Sequence, residues 1–396
     1  MTIGPGVNRL RRPSGGDCPE FDLTYVRTGP RTSSPPLVVI PGGPGLASVV
    51  PYIGFRRRAA RLGHDVIMIE HRGVGRSRTD IHSRDLPPSA MWISEVVDDI
   101  AAVLDHESVE TALFVGSSYG SYLAATFGAR HSGRVAGMLL DSALQSAEDG
   151  DLERHAVRSL FWEADTALAA DVRQLYRDGV DERILLDVVR AAYEIGGAEL
   201  TAPLVRARVG GRGTLAWRLM EAYATRGESL MSVPGVYEFE LAGVIGFREL
   251  GYGGLPDGLP LDPALTYAPL ARRFPKFVAE PTDLHRAAAK FDWPMVLLSG
   301  SRDLRTPPAI AERVAAAAPD ATLVRITNGH SALESHPEAL LVAASALASG
   351  SHDLLPSREN DLDRLPRRGL AARVPDLLAA LVRLGQISPG RLPPNW

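Results

Sequence analysis

The chain has 396 residues, of which 45% are hydrophobic and 23% are charged, and its formal net charge is −4. These values allow a sizeable buried core, and the slightly negative charge argues against nucleic acid or a membrane as a partner. Because Cys18 is the only cysteine, the sequence excludes an intramolecular disulfide and a cysteine-rich zinc site.

Targeting signals are not evident in the sequence. The first 20 residues contain arginine, proline and glycine but no apolar segment of the kind found in secretory signals. No run of about 18 apolar residues occurs along the chain. We therefore expect a soluble cytoplasmic protein that acts on a small molecule or short peptide, and the sequence leaves its oligomeric state open.

Short apolar runs alternate with helical patterns in the first part of the chain. Strands are predicted at residues 37–40, 65–69, 112–115 and 135–140. Between the second and third strands, apolar positions in 94–104 recur at helical spacing. Strands that alternate with helices form a parallel sheet. The pattern predicts an α/β fold with a mostly parallel, doubly wound sheet, whose first part covers residues 1–144.

The middle of the chain has a different pattern. Mostly helical segments fill residues 145–292, and we interpret them as a helical cap inserted into the core. Strands at 294–298 and 321–326 return in the second part of the core, over 293–350. After residue 350 charged residues and prolines predominate, and we expect a helical and irregular extension over 351–396.

A pentapeptide, Gly-Ser-Ser-Tyr-Gly at 116–120, lies between the predicted strand 112–115 and a predicted helix over 121–130. A G-x-S-x-G sequence between a strand and a helix is typical of a nucleophile elbow, a sharp turn that exposes the serine hydroxyl. Ser118 is therefore the candidate nucleophile. The alternative for the pentapeptide alone is a simple glycine-serine turn that leads into a helix.

A nucleophilic serine needs a base and a carboxylate that orients the base. Asp303 follows the predicted strand 294–298, and His330 follows the predicted strand 321–326. This is the chain order serine, aspartate, histidine, with each residue after a strand. Asp303 alone has an alternative role in a turn, and His330 alone has one as a structural or exposed histidine. Their joint occurrence favours a catalytic triad of Ser118, Asp303 and His330.

Acyl transfer also needs N–H donors for a tetrahedral oxyanion. The candidates are the N–H of Tyr119, directly after the nucleophile, and that of Gly43 in the loop Pro-Gly-Gly-Pro-Gly at 41–45. The alternative for this loop is a proline-glycine turn. The loop lacks the Lys-Ser or Lys-Thr ending of a phosphate-binding loop, and no histidine pair with an intervening glutamate indicates a metal site. We expect neither a cofactor nor a metal ion.

These motifs together resemble the prolyl iminopeptidase and tripeptidyl aminopeptidase branch of the α/β-hydrolases. The resemblance rests on residues 41–45, 70–77, 116–120, 300–303 and 329–330, which span the core but not the cap or the tail. It implies an α/β-hydrolase fold, an acyl-enzyme, and a short peptide or amino-acid amide with a free N-terminus as substrate. Two positions differ from the family pattern. Proline stands at 41 where histidine is usual, and Glu-His stands at 70–71 where Asp-Gln or a similar pair is usual.

The resemblance also implies a cap carboxylate that binds the free α-amine, because a buried ammonium needs an opposite charge. Residues 242–249 are similar to the segment that carries such a carboxylate in the tripeptidyl aminopeptidases, so Glu249 is the first candidate. Glu238 lies three helical turns earlier and is the second. A solvated helix face is an equal alternative for both.

The sequence is also compatible with two other functions. One is an esterase, amidase or lactone hydrolase that acts on a small metabolite, because a fold does not dictate a substrate. The other is a non-catalytic binding protein that keeps the hydrolase-like pocket. An intact serine, aspartate and histidine at three strand ends argues against the second of these.

Overall fold

The computed structural model describes residues 6–367 and 372–387. The strands are β1 (Val7–Arg12), β2 (Phe21–Thr28), β3 (Leu37–Ile40), β4 (Val66–Ile69), β5 (Ala112–Ser117), β6 (Val135–Asp141), β7 (Ser232–Val233), β8 (Tyr237–Glu238), β9 (Met295–Gly300) and β10 (Ala321–Ile326). The α-helices are α1 (Ile53–Arg61), α2 (Ile93–His106), α3 (Tyr119–Arg130), α4 (Asp149–Arg158), α5 (Ala167–Arg177), α6 (Glu182–Val209), α7 (Thr214–Ala224), α8 (Arg226–Leu230), α9 (Phe239–Glu249), α10 (Leu284–Ala288), α11 (Pro308–Ala317), α12 (Ala332–Ser335), α13 (Pro337–Ala348), α14 (Glu359–Arg364) and α15 (Val374–Ile387). Shorter 3₁₀ turns lie at Gly75–Ser77, Pro88–Ala90, Ser132–Arg134, Pro263–Thr266, Ala268–Arg273 and His352–Arg358, and a π-helical turn lies at Ser159–Glu163.

An eight-stranded sheet forms the core, in the order β1-β2-β4-β3-β5-β6-β9-β10. Neighbouring strands from β4 to β10 in this order run parallel. Successive side chains of β5 point to opposite faces, so Phe114 packs in one apolar cluster with α2 and α3, and Val115 packs in the other with α1 and α13. Because helices cover both faces, the central strands are apolar throughout. The prediction of a mostly parallel sheet with helices on both faces is confirmed.

The first two strands were not predicted from the sequence. β1 and β2 pair antiparallel, and β2 pairs antiparallel with β4, so they extend one edge of the sheet. β1 has only two apolar residues, Val7 and Leu10, among polar ones, and it lies half-exposed at the sheet edge. An edge strand needs no continuous apolar run, and for this reason the region lacks the buried-strand pattern that the core strands have.

Helices α4 to α10 lie between β6 and β9, and most of them form a layer with its own apolar cluster. This layer also contains the short antiparallel ribbon β7–β8, which the sequence did not predict. The ribbon contacts the glycine-rich loop at 41–45, since Glu238 N donates to Gly45 O at 2.9 Å. Helix α6 bends at Gly197, where φ is 65°. The ribbon and this bend both lie close to the candidate site.

The C-terminal region adds helices to both parts of the molecule. Helix α14 packs near β10, and α15 packs against α6 and α7, where Leu378 and Val382 are buried. Residues 368–371 and 388–396 of the predicted extension lie outside the described residues. Across the ranges that the structure describes, we find no helix with both the length and the apolarity that a bilayer span requires.

Candidate active site

Ser118 lies in the tight turn between β5 and α3. Its backbone has φ 54° and ψ −121°, a strained conformation for a residue with a side chain. The chain passes so close to its surroundings that a Cβ on Gly120 would lie 2.1 Å from the carbonyl oxygen of Ile40. A Cβ on Gly116 would lie 2.3 Å from the carbonyl oxygen of Gly120. The turn therefore requires glycine at both flanking positions, as the G-x-S-x-G pattern indicates.

A chain of hydrogen bonds joins the three residues of the predicted triad. Ser118 Oγ lies 3.0 Å from Nε2 of His330. On the other side of the imidazole, Nδ1 lies 3.1 Å from both carboxylate oxygens of Asp303. Thr306 supports the carboxylate, because its N–H and its hydroxyl donate to Asp303 at 3.0 Å and 2.9 Å. A serine, an imidazole and a carboxylate in this order allow the imidazole to accept the hydroxyl proton.

The charges of Asp303 and His330 depend on each other. Burial alone would raise the pKa of Asp303, but the adjacent His330 and the hydrogen bonds from Thr306 hold it below its usual value. Burial alone would lower the pKa of His330, but the Asp303 carboxylate outweighs burial and raises it above its ordinary value. Asp303 is therefore ionised at neutral pH and stabilises a proton on the imidazole.

The loop of His330 is attached to the Ser118 turn by a second carboxylate, that of Asp141 at the end of β6. Its oxygens accept the N–H groups of Ala332 and Leu333 at 2.9 Å and 3.0 Å, two and three residues after His330. They also accept the hydroxyl of Ser117 at 2.7 Å. Our sequence analysis missed Asp141, although an acidic residue at the carboxyl end of a parallel strand was a usable signal.

Two backbone N–H groups were predicted to face an oxyanion. Tyr119 is the first residue of α3, so its N–H lies at the positive end of the helix dipole. Gly43 has φ 134° in the loop after β3, and it lines the same cavity as Ser118. The preceding Gly42 lies against the serine, since a Cβ there would lie 3.4 Å from Ser118 Cβ. The structure therefore brings the glycine loop and the serine turn together.

The cavity above Ser118 has a volume of about 430 Å³. One wall carries Tyr237, Tyr252 and Tyr267, and the rings of the last two stack with centroids 4.6 Å apart. Four carboxylate side chains also line it: Asp149, Asp151, Glu153 and Glu334. Three arginines, Arg154, Arg190 and Arg305, line it as well, so the cavity offers an apolar surface and charged groups of both signs.

A family model described as alpha/beta hydrolase fold matches residues 35–337, which is more than half of the chain. The chain belongs to the alpha/beta hydrolase fold family. The match begins before β3 and ends at the start of α13, so it includes Ser118, Asp303 and His330.

Individual relatives match this α/β-hydrolase over only part of its length or at low sequence identity. A proline iminopeptidase from Lactiplantibacillus plantarum is 31% identical over 156 residues, which are 38% of this chain and 52% of that protein. The chain spans about half the length of the curated relatives it matches. Among solved structures, a proline iminopeptidase from Mycobacterium smegmatis aligns with a TM-score of 0.52 at 17% identity, covering 88% of this chain and 99% of that one. An esterase from Thermogutta terrifontis aligns with a TM-score of 0.50 at 18% identity, covering 87% and 99%. At these identities the solved structures show the fold alone.

Glu249 does not line the cavity of this α/β-hydrolase, contrary to the expectation for an amine-binding residue. It ends helix α9 buried against the start of α2, where its Oε2 accepts the N–H of Ile93 at 2.8 Å. Burial raises the pKa of Glu249 to about 7, although this N–H partly offsets the effect. The alternative that Glu249 lies on a solvated helix face is also wrong, because the residue is buried. The carboxylate of Glu249 thus connects α9 of the cap to the N-terminus of α2 in the core.

Glu238 is also absent from the cavity wall, and it is equally buried. Its carboxylate accepts the N–H groups of Gly75 and Gly235, and it forms an ion pair with Arg78 at 3.1 Å. These contacts hold the ribbon β7–β8 against the loop that follows β4. The prediction of Glu238 as an amine-binding residue is therefore corrected to a role in joining two loops.

Glu153 is one of the four cavity carboxylates that our sequence analysis missed. It lies on α4, and its Oε1 pairs with Arg190 at 2.8 Å. Burial raises the pKa of Glu153 to about 7 in spite of Arg190 and Arg305. Its sequence context, a charged helix after β6, resembles any exposed helix, so no local signal distinguished it.

Glu70 and His71, which differ from the family pattern, form hydrogen bonds to residues around the nucleophile turn and the neighbouring loops. The carboxylate of Glu70 accepts the N–H groups of Val49 and Arg76 at 3.0 Å and 2.9 Å, which connects the loops after β3 and β4. His71 Nε2 lies 3.0 Å from the hydroxyl of Tyr119, and burial lowers the pKa of His71 to about 4. A neutral His71 thus packs beneath the helix that begins at the nucleophile turn.

Proposed function

We propose that this α/β-hydrolase is a serine hydrolase that releases the N-terminal residue from short peptides or amino-acid amides through an acyl-enzyme. The observation that carries the proposal is the hydrogen-bonded chain from Asp303 through His330 to Ser118. It ends at a cavity whose cap wall holds the half-buried carboxylate of Glu153. The likeness to proline iminopeptidases over part of the core supports the same reaction class.

In the first half of the reaction, Ser118 Oγ attacks the scissile carbonyl carbon while Nε2 of His330 takes the hydroxyl proton. The N–H groups of Tyr119 and Gly43 donate to the oxyanion that forms. The tetrahedral intermediate collapses when the C–N bond breaks, and His330 gives its proton to the leaving amine. Asp303 stabilises the transient imidazolium throughout.

The second half returns the enzyme to its starting state. A water molecule takes the place of the leaving amine, and His330 removes one of its protons as it attacks the acyl-enzyme. The second tetrahedral intermediate collapses when the bond to Ser118 Oγ breaks, and the serine recovers its proton from His330. The products are the free N-terminal amino acid and the shortened peptide or amine.

Recognition of the free α-amine is assigned to Glu153 in this proposal. The oxygen that contacts Arg190 is Oε1, which leaves Oε2 to accept from an ammonium group. Because burial raises the pKa of this carboxyl to about 7, a bound cation supplies the compensation that its ionised form needs. The stacked Tyr252 and Tyr267 supply an apolar surface for the side chain of the N-terminal residue.

The proposal is tested by the hydrolysis of three matched substrate sets by the unmodified chain and Ser118→Ala. The sets are aminoacyl arylamides, their N-acetylated counterparts and short p-nitrophenyl esters. We expect cleavage of the free-amine arylamides that depends on Ser118, with the N-acetylated compounds cleaved at least about tenfold more slowly because they lack the ammonium. Cleavage of esters alone would instead indicate a metabolite esterase, and no cleavage at all would contradict the proposal.

A further inference from the structure

A second cavity of about 350 Å³ lies beside His330, and four arginines line it. They are Arg226, Arg302, Arg305 and Arg367. We call it the arginine cavity. It shares His330, Arg305 and Glu334 with the cavity above Ser118, so the two are neighbours on either side of these residues.

These four arginines come from three parts of the chain, since Arg305 lies in the same turn as Arg302. Arg302 precedes Asp303 in the turn after β9, Arg226 begins α8 of the cap, and Arg367 follows α14. The bend of α6 provides space for one of them, because a Cβ on Gly197 would lie 3.4 Å from Arg302 Cδ. The core, the cap and the C-terminal region thus each bring a guanidinium to one place.

Three of these guanidiniums have no carboxylate ion-pair partner within the described residues. Arg226 donates to the carbonyl of Tyr223 and lies 3.7 Å from its ring centroid. Arg367 donates to Asn328 Oδ1 at 2.6 Å and to the carbonyl of Thr327. The Nε of Arg302 is buried and has no hydrogen-bond partner.

The carboxylates near the arginine cavity are already engaged. Glu194 pairs with Arg305 at 3.5 Å, and Glu334 accepts the hydroxyl of Tyr52 at 2.7 Å. Asp363 acts on Arg302 and Arg367 at longer range and accepts two hydrogen bonds from Thr327. Four arginines against two lining glutamates leave a net positive charge in a partly buried space.

This excess positive charge favours the binding of an anion. Arg302 and Arg367 are half-buried, and this burial lowers the pKa of each, whereas Arg226 is exposed. Guanidinium groups keep their charge in proteins and bind carboxylates in a planar, two-point geometry. A cluster of this kind beside a reactive histidine is suited to an anionic group of a substrate.

We propose that the arginine cavity binds the C-terminal carboxylate of a short peptide substrate. The assignment rests on the proposed aminopeptidase function, in which His330 protonates the leaving amine. The leaving group must then lie on the His330 side of Ser118, and the arginine cavity opens on His330. With the ammonium at Glu153 and the carboxylate among the arginines, the two charged ends of one short peptide are held across the scissile bond.

The test uses the full chain with Ser118→Ala, which permits binding to be measured without turnover. A tripeptide with N-terminal proline is titrated by calorimetry as the free acid and as the C-terminal amide. We expect the free acid to bind about tenfold more tightly, because it adds charge-assisted hydrogen bonds. Adding Arg302→Met, or separately Arg367→Met, should reduce this ratio to about threefold or less. Adding Arg313→Met, at an exposed position outside both cavities, should leave the ratio unchanged.

Thermal unfolding of each variant establishes that it is folded. Equal binding of acid and amide, no binding of either, or an unchanged ratio in both arginine variants would overturn the proposal. Inorganic phosphate is titrated as a further probe. Binding of phosphate that depends on Arg302, with no preference for the acid over the amide, would identify a site for a free inorganic anion and would also overturn it.

The proposed aminopeptidase function is tested independently of the arginine cavity by measuring cleavage of a prolyl arylamide, because this substrate has no carboxylate. If the unmodified chain does not cleave it but the Ser118→Ala protein still prefers the free acid, the aminopeptidase reaction is wrong and the carboxylate site is supported. If the chain cleaves it and no preference for the acid exists, the carboxylate site is wrong and the reaction stands.

Discussion

Ser117, the residue directly before the proposed nucleophile, donates a hydrogen bond from its Oγ to the carboxylate of Asp141 at 2.7 Å. The same carboxylate accepts the N–H groups of Ala332 and Leu333, which follow His330 by two and three positions. Asp141 therefore connects two segments that are distant in sequence and that must stay in contact for Ser118 and His330 to share a proton. We regard it as a positioning residue.

Replacing Asp141 with asparagine tests this role. An amide offers one acceptor oxygen where the carboxylate uses two, so at least one of its three hydrogen bonds is lost. We expect kcat to fall about 10- to 100-fold with KM little changed, because charge-assisted hydrogen bonds contribute roughly 1.5–3 kcal/mol each. Steady-state kinetics measure this, and Asp292→Asn, at an exposed position, is the matched control. A lower Tm with unchanged kcat would reduce Asp141 to a purely structural residue.

Gly43 is expected to tolerate no side chain. Its φ of 134° is unfavourable for other residues, and a Cβ would lie 2.6 Å from the backbone nitrogen of Gly45. Gly43→Ala should therefore displace the proposed oxyanion donor and lower kcat by about 100-fold or more. Gly54→Ala is the control, because a Cβ there meets no atom within 4 Å. A kcat within a factor of about two of the unmodified chain would remove Gly43 from the oxyanion site.

Glu153→Gln tests the binding of the α-amine. The amide keeps the shape of the side chain but loses the charge that attracts an ammonium, while Arg190 retains its pair with Asp187 at 2.9 Å. We expect KM for aminoacyl arylamides to rise about tenfold and KM for neutral esters to stay unchanged. Glu148→Gln, exposed at the N-cap of the same helix, is the control. A parallel rise in KM for both substrate classes would contradict a specific role in amine binding.

The same carboxyl predicts a difference in pH dependence between substrate classes. Because the pKa of Glu153 is raised to about 7, it loses its charge as the pH falls through that value. KM for free-amine substrates should therefore rise below about pH 7, whereas KM for neutral esters should not. Profiles of KM from pH 5 to 9 on both classes measure this, and identical profiles would contradict the assignment.

His330 sets a second, independent limit on the pH range. It must be neutral to accept the proton of Ser118, and its pKa is raised above the ordinary 6.5 because Asp303 outweighs burial. Activity on a neutral ester should therefore fall as the pH drops through a midpoint above 6.5. NMR titration of the imidazole should show the pKa fall in Asp303→Asn, where the anion is absent. An unchanged imidazole pKa in that variant would contradict the proposed coupling.

The parts of the site that were predictable from the sequence are those with local signals. Ser118, Asp303 and His330 each follow an apolar strand in a short turn, and their order along the chain matches a known pattern. The structure brings these three together within hydrogen-bonding distance. Prediction of the parallel sheet succeeded for the same reason, since its buried strands are continuous apolar runs.

The parts that were not predictable depend on contacts between distant segments. Glu249 and Glu153 both lie on cap helices, and only the orientation of each helix decides that Glu153 lines the cavity while Glu249 contacts α2. The arginine cavity is a stronger example, because Arg226, Arg302 and Arg367 are far apart in the sequence. Periodicity assigns a residue to a helix face but not to the neighbour that this face meets.

The most direct test of the central claim is covalent labelling of the nucleophile. The full chain is treated with a serine-reactive fluorophosphonate, and the adduct is located by mass spectrometry of the intact chain and its peptides. A serine activated by His330 and Asp303 should take up one label per chain, on Ser118, and labelling should slow by at least about 1,000-fold in His330→Ala. Absence of label from Ser118 in the folded, unmodified chain, or an equal rate of labelling in His330→Ala, would contradict the account.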